Sequence, residues 1–178
     1  MRKLIVSSLV TADGIHGDPH LWAGEYSDEE AATAWLDALI KSDAFLMGKN
    51  TYELFAQMWG DPQGPYLQRM YDMPKYVYSS TLTKADWNNT TIVSGDPVAA
   101  VRELKTQGDG DLMVYGYGRL GQSLLENGLV DELHVVVNPV VLGTGTPLFR
   151  QGKRVNLRLE SVSQRGNGVA TLVYVPAA

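Results

Sequence analysis

The sequence predicts an α/β fold built on one mixed sheet, parallel in its middle and antiparallel at its end. Three observations carry this reading. Short apolar runs suited to buried strands alternate with amphipathic helical stretches over residues 2–137, the pattern of successive strand–helix–strand units. Residues 155–163 and 169–175 instead read as two antiparallel strands joined by Arg165-Gly166-Asn167-Gly168, a hairpin signal. Between these regions lies 111–121, where an apolar strand breaks at Gly116-Tyr117-Gly118 and a helical pattern follows at once.

The chain has 178 residues, 44% hydrophobic and 20% charged, enough for one medium domain with its own core. It has no cysteine, which excludes disulfides, thiolate metal sites and cysteine nucleophiles. A formal net charge of −5 with basic residues scattered singly argues against a basic nucleic-acid-binding face. No stretch approaches the length of a membrane span. The run after Met1-Arg2-Lys3 is interrupted by Ser7, Ser8 and Thr11, so it reads as a first strand rather than a signal peptide. A cytoplasmic location is the default expectation.

Taken in order, residues 2–11 suit a largely buried strand that ends at Asp13-Gly14, a turn signal. Residues 14–26 lack periodicity and form a glycine-containing loop with two histidines and a tryptophan. Ser27-x-x-Glu30 reads as a capping box opening a helix, with Ala32, Trp35, Leu36, Leu39 and Ile40 as its apolar stripe. Residues 44–48 form a second strand, and a short helix follows with Tyr52, Phe55, Ala56 and Trp59 inward. Pro62, Gly64 and Pro65 mark a loop. Strands are expected at 75–78 and 90–93. Asp96-Pro97 caps a helix burying Val98, Val101 and Leu104. The helix after Gly118 places Leu120, Leu124 and Leu125 on one face and stops at Gly128. A strand over 132–137 and a flexible loop at 143–147 precede the terminal hairpin.

The strand ends carry the functional signal. The three strand-end motifs are Gly48-Lys49-Asn50-Thr51, Ser79-Ser80-Thr81 and Gly116-Tyr117-Gly118-Arg119. Each offers free backbone N–H groups, hydroxyls or a cation, and ligands of open α/β sheets bind outside the carboxyl ends of parallel strands. One extended ligand with several phosphates could touch all three, although each taken alone is also an ordinary loop or cap.

The same residues carry a family resemblance. Thr11-Ala12-Asp13-Gly14, Leu46-Met47-Gly48-Lys49-Asn50-Thr51-Tyr52-Glu53 and Tyr78-Ser79-Ser80-Thr81-Leu82 occur in that order. Tyr115-Gly116-Tyr117-Gly118-Arg119-Leu120, Gly128-Leu129-Val130-Asp131-Glu132-Leu133 and the stretch from Pro139 to Phe149 follow. With these pieces the chain resembles the dihydrofolate-reductase-like superfamily, closest to the reductase domain of bacterial riboflavin-biosynthesis deaminase–reductases and their stand-alone relatives. The resemblance implies a three-layer α/β/α reductase domain, commonly a homodimer, that binds NADPH. It places Gly48, Lys49, Asn50 and Thr51 by the cofactor phosphates, Ser79, Ser80 and Thr81 at the 2′-phosphate, and Gly116, Tyr117, Gly118, Arg119, Leu120 and Gly121 at the pyrophosphate. Tyr117 stands where the family often has glycine or serine, so its ring is expected to crowd a phosphate or stack on the cofactor. The zinc deaminase part of the riboflavin enzymes has no counterpart here, and their substrate specificity does not transfer.

The expected reaction is hydride transfer to a small heterocyclic or carbonyl-type substrate, pterin- or aminopyrimidine-like; the alternative is a binding module that kept the fold and lost the chemistry. Reduction of a C=N or C=O bond benefits from an acid whose pKa is raised by apolar surroundings. Asp13 is the candidate, although Asp-Gly is also simply a good turn. Asp28, Glu29 and Glu30, at the start of the first helix, are a second candidate set already explained by capping. Trp22 is a candidate for stacking on a substrate ring or for anchoring its loop. His16 and His20 flank Asp18 on a flexible loop, and a substrate contact at His16 is expected rather than a metal site. His134 and Phe149 read as structural, Phe149 as part of the core.

Overall fold

Leu4-Ile5-Val6 and Leu112-Met113-Val114 are buried at every position, as a parallel strand covered by helices on both faces requires. The computed structural model describes residues 1–177. Strands β1 (Leu4–Thr11), β2 (Ser42–Gly48), β3 (Lys75–Tyr78), β4 (Thr90–Val93), β5 (Asp111–Tyr115) and β6 (Glu132–Asn138) run parallel. Strands β7 (Leu157–Gln164) and β8 (Ala170–Pro176) join antiparallel, giving the order β4-β3-β2-β5-β1-β6-β8-β7. The helices are α1 (Glu29–Ile40), α2 (Lys49–Trp59), α3 (Gly64–Asp72), α4 (Pro97–Leu104) and α5 (Gly118–Glu126). No helix among the described residues is long and apolar enough to cross a membrane.

Successive strand residues point to opposite faces, and this alternation sorts the helices into two layers. Ile5, Phe45, Met47, Val77 and Met113 pack with Leu39 of α1, Tyr52 of α2 and Met70 of α3. Leu4, Val6, Leu46, Leu112 and Val114 pack with Val101 and Leu104 of α4 and Leu124 and Leu125 of α5. The result is the expected three-layer α/β/α arrangement with a C-terminal antiparallel hairpin.

Two local expectations are corrected. The cap of α1 is Asp28, which accepts from the Ala31 N–H at 2.8 Å, while the Ser27 hydroxyl donates to the Ala23 carbonyl. With the helix starting one residue later, Ala31 and Leu39 are its buried positions, and Ala32 and Ile40 face solvent. The segment opened by Pro62, Gly64 and Pro65 is not all loop, because α3 begins there. Proline is tolerated in a first turn, whose N–H groups have no helical partner, so these residues mark a start as well as a break.

The amino-terminal edge of the sheet is fastened by buried cations. Arg2 Nε donates to the Gly110 carbonyl (2.6 Å) and Nη1 to that of Gln107 (2.7 Å). Lys105 Nζ donates to the Leu129 carbonyl at 2.7 Å and to Asp131, whose carboxylate also accepts from the Leu4 N–H. Lys75, at the start of β3, has no exposed surface. Its Nζ donates to the carbonyls of Tyr71 (2.8 Å) and Met73 (2.7 Å) and lies 4.7 Å from the centre of the Trp87 ring.

Burial pushes the Lys75 ammonium down to about 8, with Asp72 opposing weakly. A lysine whose folded pKa lies below its unfolded one holds fewer protons in the native state between the two values, so stability rises with pH across that window. Urea unfolding is expected to show a gain of about 2 kcal/mol between pH 8 and 10 that the Lys75→Met protein lacks. Identical pH profiles for the two proteins would show that Lys75 is not the group responsible.

Candidate functional site

The helical layers diverge at β5. Its neighbours β2 and β1 send α2 and α1 to one face, and β5 sends α5 to the other. The carboxyl end of β5 is therefore bounded on both sides by diverging crossovers, the place where open α/β sheets hold ligands. The register brings the three donor-rich strand ends together. Gly48 pairs with Tyr78, and Leu46 pairs with Val114, so Gly48 and Gly116 come level two residues on. Adjacent strands lie about 4.8 Å apart, which puts Ser79 and Gly116 about 10 Å from each other across β2. On the far side, Ser7 pairs with Tyr115 and β1 continues to Thr11, so β1 and β6 stand four residues above the end of β5 as a wall.

Helix starts differ in their caps, and α3 begins on Gln63 without a side-chain cap. Asp28 caps α1 and Asp96 caps α4 through their carboxylates. At the crevice, α2 begins on Gly48 and α5 on Tyr117 with no side-chain cap. The first N–H groups of both helices remain available for an anion. Gly116 (φ 80°) and Gly118 (φ 42°) have positive φ, and a Cβ at either would meet nothing within 4 Å. The turn is thus an open cradle of backbone rather than a packed corner. Gly121 has a different role from the expected phosphate contact. It is buried, and its Cβ would lie 3.3 Å from the Tyr117 ring and 3.4 Å from Val6 Cγ1, so its small size lets α5 approach the sheet. Glycines at 116, 118 and 121 have the G-x-G-x-x-G spacing, which carries both roles.

Tyr117 neither crowds the cradle nor overlies it. Its ring is buried in the core and meets Phe149 edge-on, centroids 5.4 Å apart at 74°. Burial pushes its hydroxyl up to about 12. Phe149 is the cover over this ring, about half exposed, rather than a core residue. Arg119 is exposed and Leu120 half-buried on the first turn of α5. On α2, Lys49 Nζ lies 3.4 Å from Thr81 Oγ1 and 3.6 Å from Glu53, linking the ends of β2 and β3; Asn50 is exposed and Thr51 half-buried beside it. Ser79 Oγ accepts from the N–H groups of Thr81 (3.1 Å) and Leu82 (2.9 Å), which shapes the loop and leaves Ser80 and Thr81 exposed.

Asp13 is corrected. Its carboxylate accepts from the Thr11 hydroxyl (2.5 Å) and from the N–H groups of Gly143 (2.7 Å) and Leu142 (3.3 Å). These bonds, Thr11's first, hold its pKa below the usual carboxylate value, the reverse of a raised acid. Asp13 is a clamp that joins the loop after β1 to residues 142–143. The same junction includes the Ile15–Pro147 bridge and the His16 N–H to Thr146 carbonyl bond (2.9 Å), so the 143–147 loop is tied down at its far end. His16 is half-buried on this junction, and its Nε2 is buried without a partner; burial, then Arg150, lowers its pKa. Trp22 is buried, and its Nε1 donates to the Gly17 carbonyl at 2.9 Å, the geometry of a loop anchor. Asp28 is occupied as a cap and by Asn167 of the hairpin turn. Among the described residues no group of three or more His, Asp or Glu side chains could hold a metal. A group missed in the sequence is Tyr115, whose hydroxyl is buried at the end of β5 facing that of Tyr66.

Residues 2–171 match the RibD C-terminal domain model. The chain belongs to the RibD C-terminal domain family. It is similar to the uncharacterized protein YyaP of Bacillus subtilis (strain 168), 29% identical over 97% of this chain and 94% of YyaP. Among solved structures, a Shewanella sp. PV-4 protein provisionally assigned to riboflavin biosynthesis superposes with a TM-score of 0.81 at 21% identity, covering 99% of each chain. A Thermotoga maritima diaminohydroxyphosphoribosylaminopyrimidine deaminase/5-amino-6-(5-phosphoribosylamino)uracil reductase gives 0.70 at 12% identity, with 99% of this chain matching 57% of that one. These superpositions show the same three-layer α/β fold in both proteins.

Two outcomes follow from the geometry. Tyr117→Ala removes a buried ring and is expected to lower stability by about 3 kcal/mol in urea unfolding; an unchanged midpoint would mean that the ring lies outside the core. Asp13→Ala is expected to accelerate amide exchange at Leu142 and Gly143 selectively. In the unmodified protein the clamp is complete above the normal aspartate pKa and is lost as pH falls through the lowered folded value, so the same two amides lose protection in acid.

Proposed function

We propose that this protein is an NADPH-dependent reductase that transfers hydride to a small heterocyclic or carbonyl-type substrate. The observation that supports this most is the coincidence, on adjacent strand ends, of the open Gly116–Gly118 cradle and the uncapped start of α2. The donor set fits a dinucleotide. Backbone N–H groups of the α5 turn suit a pyrophosphate, and Lys49, Asn50 and Thr51 suit a neighbouring phosphate. Ser79, Ser80 and Thr81 suit a ribose 2′-phosphate, where NAD-binding sites place a carboxylate instead. The names of the family and of the T. maritima enzyme support a reductase assignment.

When bound, NADPH supplies the hydride. The residues of this chain bind and orient. The Asp13 clamp ties the loop carrying His16 to residues 142–143, and the partnerless His16 Nε2 is offered as a ligand contact. Trp22 anchors that loop through its bond to the Gly17 carbonyl. With Asp13 committed to its backbone partners, the proton for the reduced atom comes from solvent. The exposed Leu159 and Val162 on β7 support a homodimer, which sedimentation would check.

Titration with NADPH and, separately, NADH, followed by tryptophan fluorescence and calorimetry, tests the reading. NADPH is expected to bind at least tenfold more tightly. Lys49→Ala is expected to weaken NADPH about tenfold, near 1.4 kcal/mol, and NADH less. Equal losses for both cofactors would remove the 2′-phosphate role, and failure of both to bind would remove the reductase assignment.

A further inference from the structure

The loop between β3 and β4 forms concave surface apart from the crevice at the end of β5. Its centre is Trp87, only 5% exposed, which lines two hollows. One, of about 440 Å³, runs along α2 from Tyr52 to Gly60 and is bounded by Tyr71 of α3 and by Lys84 and Asp86 of the loop. The other, of about 650 Å³, opens at the start of β4 beside Pro74, Asn88, Asn89 and Thr90. Volumes of this order hold small molecules. None of the strand-end residues assigned to the cofactor lines either hollow.

The walls are fastened from within. The Trp87 N–H donates to the Tyr52 hydroxyl at 3.3 Å, and the two ring centres lie 6.5 Å apart. Asn88 Nδ2 donates to the Tyr71 carbonyl (3.2 Å) and Asn89 Nδ2 to that of Asp72 (2.6 Å), so the loop is held against the end of α3. Ala56 and Gly60 line the space along α2 with almost no side chain, which keeps it open. Walls ordered in advance lose little entropy when a ligand binds.

The polar groups define the ligand. Trp87 Nε1 is buried with no partner in the protein, although buried polar atoms are nearly always paired. An indole N–H only donates, so it requires an acceptor. Glu53 and Asp86 are exposed carboxylates at the rim, which only accept and so require donors. The cations nearby are already engaged. Lys84 pairs with Asp86 at 2.8 Å, and Lys49 lies 3.6 Å from Glu53 and 3.4 Å from Thr81. Lys75, packed on the Trp87 ring, spends its ammonium on two carbonyls. A phosphate would therefore meet two carboxylates and no free cation.

A hydroxyl both donates and accepts. A saturated ring with hydroxyls around its edge and C–H groups on its faces matches each of these groups in turn. Its oxygens accept from Nε1, its hydroxyl protons go to the carboxylates, and its apolar faces lie on Tyr52, Tyr71 and Trp87. We propose that the hollow beside Trp87 is a second ligand site, which takes a neutral sugar ring. The site stands independently of the reductase reading.

The test is a ligand-observed NMR titration of the full chain with glucose, ribose and maltotriose, with glucose 6-phosphate as the anionic control. Glucose and ribose represent free sugars, and maltotriose represents the end of a glycan. At least one of the three is expected to bind in the millimolar range or more tightly, equally well with and without saturating NADPH. Glucose 6-phosphate is expected to bind at least fivefold more weakly than glucose. Trp87→Phe removes the Nε1 donor, and Asp86→Ala removes one exposed acceptor. Each is expected to weaken the sugar about fivefold. Asp86→Ala is expected to leave the melting temperature and NADPH affinity unchanged, so the test holds even where Trp87→Phe disturbs the fold. Binding of none of the three sugars, tighter binding of the phosphorylated one, competition between sugar and NADPH, or an unchanged sugar affinity in Asp86→Ala would each overturn the proposal.

Discussion

A parallel strand buried on both faces can end only where its connection has room to leave, and β5 ends between two neighbours whose helices leave the opposite way. No helix can close over that point without clashing with one layer or the other. The crevice is therefore a product of strand order, and the chemistry around it is a matter of which residues stand at its rim. Here the rim has glycines with positive φ, two helix starts without capping side chains, and a lysine reaching between strand ends. The starts of α1 and α4, at Asp28 and Asp96, satisfy the same N–H groups with carboxylates, while α3 begins on Gln63 without a side-chain cap. An anion and a carboxylate cap compete for the same donors, so an uncapped start at a ligand edge is chemically consistent with the crevice it faces.

Much of this was legible in the sequence because it depends on local rules. The alternating apolar runs of β1, β2 and β5, the Asp96-Pro97 start and the Arg165–Gly168 turn each act through neighbours a few residues away. What escaped was set by long-range contacts. Nothing near Asp13 in sequence reveals that Gly143 will donate to it, and that one bond turns a plausible acid into a clamp. Tyr117 follows the same logic. At a glycine-rich turn its ring could point either way, and the pocket formed by Val6, Leu124 and Phe149 decides that it points inward. The α3 helix was hidden because Pro65 and Gly64 are equally at home in a loop and in a helix start.

The loop junction above the crevice gains order from bonds that do not compete with a ligand. The carboxylate of Asp13, the Ile15–Pro147 bridge and the Trp22 indole bond are all satisfied internally. His16 keeps its Nε2 unspent, on the loop that follows β1. Preorganised walls with a few free polar atoms give orientation without a large ordering cost on binding.

The fasteners Arg2, Lys75 and Lys105 all lie at the amino-terminal side of the sheet, sealed by carbonyls, Asp131 and an indole ring. The binding rim lies at the other side. Mutational tolerance is divided in the same way. Replacements among the first-turn and loop residues of the rim can alter what is recognised while the fold's anchorage stays intact, so a lineage of such proteins can change ligands by drift at one edge without passing through unfolded intermediates.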